Sequence, residues 1–309
     1  MTLGSPFVVA ASPLSHDADA IDTAVAAGAG AVVLYSLFEE DLTREQSAAR
    51  PFAGVDPYVR QVEQLRERVR APVVASLNGV TPGGWTKYAR SLEAAGASAL
   101  ELNLYEVATA PHESGAEVEF RQVDVVAAVV AAVTIPVTVK LSPFYSSVPA
   151  FVRRLEEVGA RGVTVFNRFY QPDISLDTLQ VDRTLAPSTA AELPLRLHAL
   201  ALLAPGARLS LGCAGGVHSG MDAAQAILCG AHVVQLASVL LERGPGYVGV
   251  MREELSRWLD SKKFGSSAAA RGKLGFGFTA DPHAWERLNY TKALQEGLPP
   301  GRGGRPVGD

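Results

Sequence analysis

Eight short apolar runs recur along this chain of 309 residues and alternate with eight amphipathic segments. The apolar runs occupy residues 7–11, 31–35, 72–77, 99–104, 136–141, 162–166, 208–212 and 232–237. Continuous apolar runs of this length are typical of parallel strands that are covered on both faces. The segments between and after them have the apolar spacing of helices, at residues 17–27, 57–69, 84–95, 118–133, 147–158, 189–203, 220–228 and 246–262. The pattern predicts the α/β class and a (β/α)8 TIM barrel.

Gly-Ala pairs stand between a predicted helix and the next strand at residues 28–29, 96–97, 159–160 and 230–231. A glycine at this point can end a helix in the left-handed conformation. A doubly wound open sheet is the competing architecture, but it would normally carry a dinucleotide fingerprint after an early strand. The chain has no such fingerprint, which favours the barrel.

One domain, residues 1–296, is expected to hold the barrel and a short C-terminal helix near residues 285–294. Residues 297–309 are rich in Gly, Pro and Arg and are predicted to form a flexible tail. The net charge is −4 and no long run of Lys or Arg occurs, so a nucleic-acid partner has little support.

No apolar run approaches the ~20 residues of a membrane span. The first residues also lack a basic region followed by an apolar segment and a cleavage site. We therefore expect no membrane partner and a cytoplasmic location. The two cysteines, Cys213 and Cys229, lie in apolar surroundings and are interpreted as buried small hydrophobes, with no metal role.

Polar residues gather where the predicted strands end, which is the end of a barrel that carries chemistry. They are Ser12, Ser36, Asn78, Asn103, Lys140, Ser142, Asn167, Arg168, Gly215, Gly216 and Ser238. Lys140 interrupts an apolar run, and a lysine there is rarely buried without a partner. We interpret it as a functional cation; a salt bridge to Glu101 or a loop carboxylate is the structural alternative.

Small residues end the last two predicted strands, at Gly215-Gly216 and Ala237-Ser238. The loops after strands 7 and 8 of a TIM barrel are the usual phosphate site, where backbone N–H groups hold the anion. A phosphate site beside one lysine and several amides suits flavin mononucleotide (FMN), because a cation near N1/O2 stabilises the anionic reduced ring.

The chain resembles the dihydroorotate dehydrogenases over nearly the whole barrel. The motifs that carry the resemblance are Ser5-Pro6-Phe7, Glu101-Leu102-Asn103-Leu104, Val139-Lys140-Leu141-Ser142-Pro143, Asn167, Gly215-Gly216, Cys229-Gly230-Ala231, Gln235-Leu236 and Gly244-Pro245. The resemblance implies that FMN contacts Ala11, Ser12, Ser36, Asn103, Lys140, Gly215, Gly216, Ala237 and Ser238. It also implies that Asn167 faces the substrate.

Four departures from the family pattern fall on its substrate side. Tyr35 stands where the family usually has a lysine, and Glu106 stands where it has a cysteine or serine as base. Arg168 replaces a small hydroxyl residue, and the 37–71 connection lacks the family's Asn-x-x-Gly-x-x-Asn pattern. The flavin half of the site is thus expected to be kept and the orotate half altered.

The catalytic candidates are Glu106, Lys140 and Asn167, and the substrate-binding candidates are Tyr35, Asn78, Asn167 and Arg168. A hydride transfer at a C–C bond needs a proton partner, for which Tyr105 and His112 are alternatives to Glu106. Arg168 could bind a substrate carboxylate through its planar fork, or form an ion pair with Asp173.

These residues are compatible with three functions. The first is an FMN oxidoreductase that acts on a CH–CH or C=C bond of a small substrate. An anionic substrate is one option. The second is a lyase or aldolase in which Lys140 forms a Schiff base with a phosphorylated substrate. The third is a non-catalytic flavin-binding homologue. A homodimer is one option for the assembly.

Overall fold

The computed structural model describes residues 2–38, 55–78, 82–182 and 184–296. Eight parallel strands form a closed barrel: β1 (Phe7–Val9), β2 (Ala31–Phe38), β3 (Val73–Asn78), β4 (Ala99–Asn103), β5 (Val137–Leu141), β6 (Gly162–Val165), β9 (Ser210–Ala214) and β10 (Val233–Leu236). Their order around the barrel is β1-β10-β9-β6-β5-β4-β3-β2. The predicted TIM barrel is confirmed.

The helices follow the strands and surround the barrel: α1 (Ala18–Ala26), α2 (Val55–Arg68), α3 (Pro82–Ala94), α4 (Gly115–Ala132), α5 (Val148–Glu157), α6 (Leu193–Leu203), α7 (Gly220–Leu228), α8 (Ser238–Arg243), α9 (Tyr247–Ser261) and α10 (Ser267–Ala270). Short 3-10 turns cover Pro13–His16 and Ala190–Glu192. No helix in the described ranges is long and apolar enough to cross a membrane.

The four Gly-Ala pairs end their helices as predicted. The glycines have φ values of +101° (Gly28), +90° (Gly96), +100° (Gly159) and +123° (Gly230). In each pair the alanine N–H donates to a carbonyl five residues earlier, as Ala29 does to Ala24 and Ala231 to Ala226, both at 2.9 Å. This bond pattern satisfies carbonyls that a helix end would otherwise leave open, and it turns the chain into the next strand.

The barrel closes at its shortest strand. Phe7 of β1 pairs with Val234 of β10, and Val8 pairs with Ala31 of β2. Larger apolar side chains, among them Leu100 and Leu141, belong to the main core between strands and helices. A separate interior cluster contains only Val8, Ala31, Val33, Val74 and Ala99 as its buried members. The buried residues of this inner cluster are thus valines and alanines, whereas the main core also holds leucines and aromatic residues.

Among the boundaries that differ from the sequence prediction, three bear on the polar residues at the strand ends. β2 continues to Phe38, so Ser36 lies within the strand and not after it. β3 includes Asn78, and β9 runs from Ser210 to Ala214, two residues later than predicted. Polar residues within β2 and β3 pair with neighbouring strands across the sheet, and tertiary pairing of this kind overrides local composition.

A two-stranded antiparallel hairpin of β7 (Asp173–Ser175) and β8 (Gln180–Asp182) follows β6 and was not predicted. Its strands are three residues each, which is too short for a periodic signal. The predicted loop at residues 264–280 likewise contains α10 and a 3-10 turn, Phe276–Phe278.

Internal contacts divide the chain into a unit that ends at Gly275 and a second unit that begins at Phe276. The second unit contains α11 (Pro282–Glu296), and in it the Phe276 ring packs on Trp285 at 5.2 Å between centroids. The predicted C-terminal helix is present. The domain limits stay a prediction, since the tail at 297–309 lies outside the described residues.

Candidate functional site

The strand ends of β3 to β6 bring three amides and one lysine together. Asn78 is paired in register with Asn103, and Asn103 is paired with Lys140. The Asn167 side-chain NH2 donates to the Asn103 side-chain oxygen at 2.9 Å, and the Asn167 backbone N–H donates to Leu141 at 2.7 Å. The structure thus joins residues that the sequence predicted separately.

Lys140 is buried, with 5% of its surface exposed. Its Nζ donates to Oε1 of Gln235 at 3.0 Å and lies 3.8 Å from Oε1 of Glu101. Nε2 of Gln235 donates to Oε2 of Glu101 and, at 3.2 Å, to Oγ1 of Thr164. The salt bridge to Glu101, expected as the structural alternative, is present. Together with Gln235, it holds the ammonium group in place inside the barrel.

The Gly215-Gly216 turn follows β9, and both glycines have positive φ, +84° and +80°. A Cβ on Gly216 would lie 2.5 Å from the backbone nitrogen of Leu193, so only glycine fits there. The Gly216 N–H donates to Oγ of Ser188 at 3.2 Å, and Ser188 is hydrogen-bonded to Oγ of Ser238 at 2.9 Å. The two predicted phosphate-binding segments therefore meet, with Ser188 between them.

Arg196, which the sequence analysis did not single out, lies beneath this turn. Its guanidinium would be 3.1 Å from a Cβ on Gly215, and Nε donates to the Ala214 carbonyl at 3.1 Å. Arg196 is 6% exposed, and burial lowers its pKa while Glu192 opposes that shift. A buried positive charge beside the turn favours an anion there.

Near the Gly215-Gly216 turn, Glu192 binds the side chain of Arg168. Its NH1 donates to both carboxylate oxygens of Glu192 at 2.7 Å, and Nε donates to the Ala186 carbonyl at 3.0 Å. Of the two roles expected for Arg168, the ion pair with Asp173 is wrong, because the observed partner is Glu192. Sequence spacing offered no signal for a partner 24 residues away.

Glu106 is held against α4 by two side chains of that helix. It forms an ion pair with Arg121 and accepts a hydrogen bond from Nε2 of Gln122 at 3.2 Å. Oη of Tyr145 donates to Oε1 of Gln122 at 2.9 Å, and burial raises the pKa of Tyr145. The Glu106 carboxylate, 14% exposed, is thus a fixed hydrogen-bond acceptor.

On the β1–β2 side, the Tyr35 ring packs on His16 at 3.9 Å and on Tyr58 at 4.9 Å between centroids. Oγ of Ser36 is hydrogen-bonded to Oγ of Ser76 at 2.8 Å. Oγ of Ser12 is buried and has no hydrogen-bond partner among the described residues. Such a hydroxyl is a natural contact for a bound polar group.

Aromatic residues of three loops meet over the strand ends. The Phe169 ring contacts Tyr105 at 5.9 Å and Phe144 at 4.5 Å between centroids. The Tyr170 backbone N–H donates to Oη of Tyr105 at 3.2 Å. The loops after β4, β5 and β6 thus form one aromatic cover.

Both cysteines are free; Cys213 is buried as interpreted, whereas Cys229 is only partly buried. Burial raises the pKa of Cys213 to about 12 and that of Cys229 to about 11. The described part of the chain has no group of His, Cys, Asp or Glu that could hold a metal ion.

The dihydroorotate dehydrogenase family model matches residues 50–259, which is more than half of the chain. The chain belongs to the dihydroorotate dehydrogenase family. This is a family of oxidoreductases, and the resemblance stated from the motifs is confirmed.

Curated relatives agree. A protein of Aeropyrum pernix named, provisionally, dihydroorotate dehydrogenase A (fumarate) is 32% identical over 65% of this chain and 66% of its own. Dihydroorotate dehydrogenase A (fumarate) of Lacticaseibacillus paracasei is 31% identical over 54% and 59%. The catalytic subunit of dihydroorotate dehydrogenase B (NAD(+)) of Methanocella arvoryzae is 27% identical over 85% and 91%. The chain thus spans less than two thirds of the first two relatives and most of the third. These names do not favour the Schiff-base lyase.

Proposed function

We propose that this chain is an FMN-dependent oxidoreductase of the dihydroorotate dehydrogenase type, acting on a CH–CH or C=C bond of a small substrate. The observation that carries the proposal is one end of the barrel, where buried Lys140 stands beside two bonded amides, Asn103 and Asn167. The Gly215-Gly216 turn over a buried arginine lies at the carboxyl end of the neighbouring strand. A cation, amides and an anion cup at one barrel mouth match the polar parts of FMN.

FMN, when bound, accepts or gives the hydride. The residues that would hold it are Ala11, Ser12, Ser36, Asn103, Lys140, Gly215, Gly216, Ala237 and Ser238. The donor set fits the group in three respects: the turn admits only glycine, Arg196 supplies positive charge beneath it, and the Ser12 hydroxyl lacks a partner among the described residues.

Lys140 would stabilise negative charge on the reduced ring. Gln235 and Glu101 keep its ammonium group in one position before any ligand arrives. Because the ammonium group is already oriented, little reorganisation energy is spent when negative charge develops beside it.

The substrate half would use Asn78, Asn167, Tyr35 and Arg168. Because Glu192 already takes the Arg168 fork, a substrate carboxylate would have to displace that partner. Tyr35 packs between two aromatic rings and therefore presents no cation where the family usually has one. These features support a substrate that differs from dihydroorotate.

Glu106 would accept the proton that leaves the substrate carbon. Arg121 and Gln122 donate to its carboxylate, so the group is arranged as a hydrogen-bond acceptor. Asn167 would orient the substrate, because its amide is fixed between Asn103 and the Arg168 backbone N–H, which donates to it at 2.9 Å.

The first test is the visible absorption spectrum of the purified protein, followed by denaturation and identification of the released chromophore. Released FMN would support the proposal and allow candidate substrates to be screened by bleaching of the flavin. A colourless protein that also fails to take up added FMN would overturn it.

Gly216→Asp should abolish FMN retention, because the new side chain enters the backbone of Leu193 and adds a negative charge at the anion cup. The matched control is Gly206→Asp, where a Cβ meets nothing within 4 Å. The measurement is the FMN content per chain after gel filtration, with thermal unfolding to check the fold. A folded Gly216→Asp protein that stays yellow would refute the proposal that this turn binds the FMN phosphate.

The assembly and the cellular location stay predictions. Sedimentation of the purified chain would test the homodimer.

A further inference from the structure

The amino-terminal end of the barrel, opposite the candidate active site, contains a cavity of about 690 Å³. Its apolar wall includes the small interior cluster of Val8, Ala31, Val33, Val74 and Ala99. Gly162 and Gly212 also line it and contribute no side chain. TIM barrels are usually filled here by layers of bulky branched residues. In this chain Ala31 and Ala99 take two of the five buried positions of the cluster, and none is a leucine or isoleucine, so part of that space stays open.

The inner end of the cavity is polar. Glu101 lines it, is 1% exposed, and its Oε1 has no hydrogen-bond partner among the described residues. Buried carboxylate oxygens normally accept hydrogen bonds. We therefore expect a group of a bound ligand to donate a hydrogen bond to this oxygen. Because Lys140 already lies 3.8 Å from Oε1 and offsets its charge, a neutral donor such as a hydroxyl suits the position better than a second cation.

The outer end of the cavity is basic. Arg161 and Arg271 line it and are exposed, and the partly buried His232 lines it as well. Nδ1 of His232 accepts a hydrogen bond from the Leu211 N–H at 3.1 Å. Burial, and then Arg271, lower the pKa of His232, so the two arginines supply the positive charge. An anion is therefore favoured at this end.

We propose that this cavity binds a small amphiphilic carboxylate, with its carboxylate at Arg161 and Arg271 and a hydroxyl at Oε1 of Glu101. The strand β6 sets the depth of the cavity: Thr164 is three residues after Arg161 at the rim, about 10 Å along the backbone, and the ligand is chosen to match that depth. An ω-hydroxy acid with a chain of six carbons spans about this distance. A ligand in this cavity would contact the Glu101 carboxylate, which pairs with Lys140. It would approach that carboxylate from the side opposite the proposed flavin site.

The probe is 6-hydroxyhexanoate, titrated into the purified holoprotein by calorimetry. We expect saturable binding with a dissociation constant on the order of 1 mM or below. Hexanoate lacks the hydroxyl and hexan-1-ol lacks the carboxylate, so each should bind more weakly. Absence of binding by 6-hydroxyhexanoate at about ten times that concentration would overturn the proposal, as would equal binding of all three compounds.

Four variants locate the site. Ala99→Leu fills the cavity and should abolish binding, while Arg161→Ala and Arg271→Ala should each weaken it by about threefold or more. Arg153→Ala, which removes an exposed arginine of α5 outside the cavity, should leave binding unchanged. If Ala99→Leu does not fold, the arginine variants and their control decide the question. Binding that survives both arginine substitutions would place the ligand elsewhere and refute the site.

Discussion

Lys140, Glu101 and Gln235 form a buried polar chain from three different strands of the barrel. Removing both charges of a buried ion pair is often tolerated, but removing one leaves the other without compensation. A simple Lys140→Ala test of flavin binding therefore mixes the loss of a cofactor contact with the cost of an unpaired Glu101.

Lys140→Met should lower the free energy of unfolding by about 3–5 kcal/mol, because it leaves the Glu101 carboxylate buried and unpaired. The double variant Lys140→Met/Glu101→Gln should recover most of that loss. Urea denaturation of flavin-free protein measures both quantities.

The control for this cycle is Lys87→Met on the exposed face of α3, which should change stability by no more than about 0.5 kcal/mol. If the single and double variants at Lys140 were equally unstable, the two charges would not be coupled. Flavin binding by the double variant, compared with that by Glu101→Gln, reports on Lys140 without the cost of an unpaired carboxylate.

At the scale of elements, helix α4 controls the loop that follows β4. Arg121 forms ion pairs with both Glu106 and Glu113 of that loop. The helix itself starts with a capping box, in which Oγ of Ser114 accepts from the Glu117 N–H and the Glu117 carboxylate accepts from the Ser114 N–H. The loop and the first turn of α4 are therefore one connected unit.

Arg121→Leu should loosen this loop with little effect on global stability, because partly exposed ion pairs contribute about 1 kcal/mol or less. Deuterium exchange of residues 104–114 should become faster. Arg153→Leu on α5, which removes only an exposed pair with Glu157, should leave that exchange unchanged. Unchanged protection in Arg121→Leu would show that the pairs do not hold the loop.

The pH dependence of the same contact has a definite sign. The hydrogen bond from Arg121 lowers the pKa of Glu113 from its ordinary value of 4.5. The contact is therefore complete above pH 4.5 and is lost as the pH falls through the lowered pKa. The protection of residues 104–114 in the unsubstituted chain, taken relative to the intrinsic exchange rate at each pH, should fall only in acid.

At the scale of the whole molecule, the closed barrel leaves no edge through which its core can open locally. Cys213 on β9 is fully buried, and its pKa is raised to about 12. Cys229 follows α7, is half-buried, and has a pKa of about 11. The reactivity of the Cys213 thiol thus measures opening of a buried strand, and that of the Cys229 thiol measures opening at a partly buried helix end.

Cys213 should react with an alkylating reagent at pH 8 only when the barrel unfolds, whereas Cys229 should react through smaller openings and therefore sooner. Mass spectrometry of peptides over a time course measures both rates, and the chain in urea, where both react freely, is the control. Equal rates in the folded chain would mean that β9 opens locally.

Much of the architecture was predictable, because it depends on residues close together in the chain. An apolar run or a Gly-Ala pair can be recognised from a few neighbouring residues. The helices that these patterns predict agree with the structure to within a few residues. The hairpin of β7 and β8 was missed because three-residue strands have no measurable period. Ser36 was misplaced because β2 continues by pairing with β3, which local composition does not encode.

The sequence alone determined that polar residues stand at the strand ends and that glycine stands at the turn that we propose binds an anion. Only the tertiary structure decided their partners: Lys140 with Gln235, 95 residues away, Asn103 with Asn167, and Glu106 with Arg121. It also decided that Arg196 lies beneath Gly215 and that the opposite end of the barrel is open. The physical reason is that strand register and tilt set which side chains meet across a barrel, and these are properties of the closed sheet as a whole.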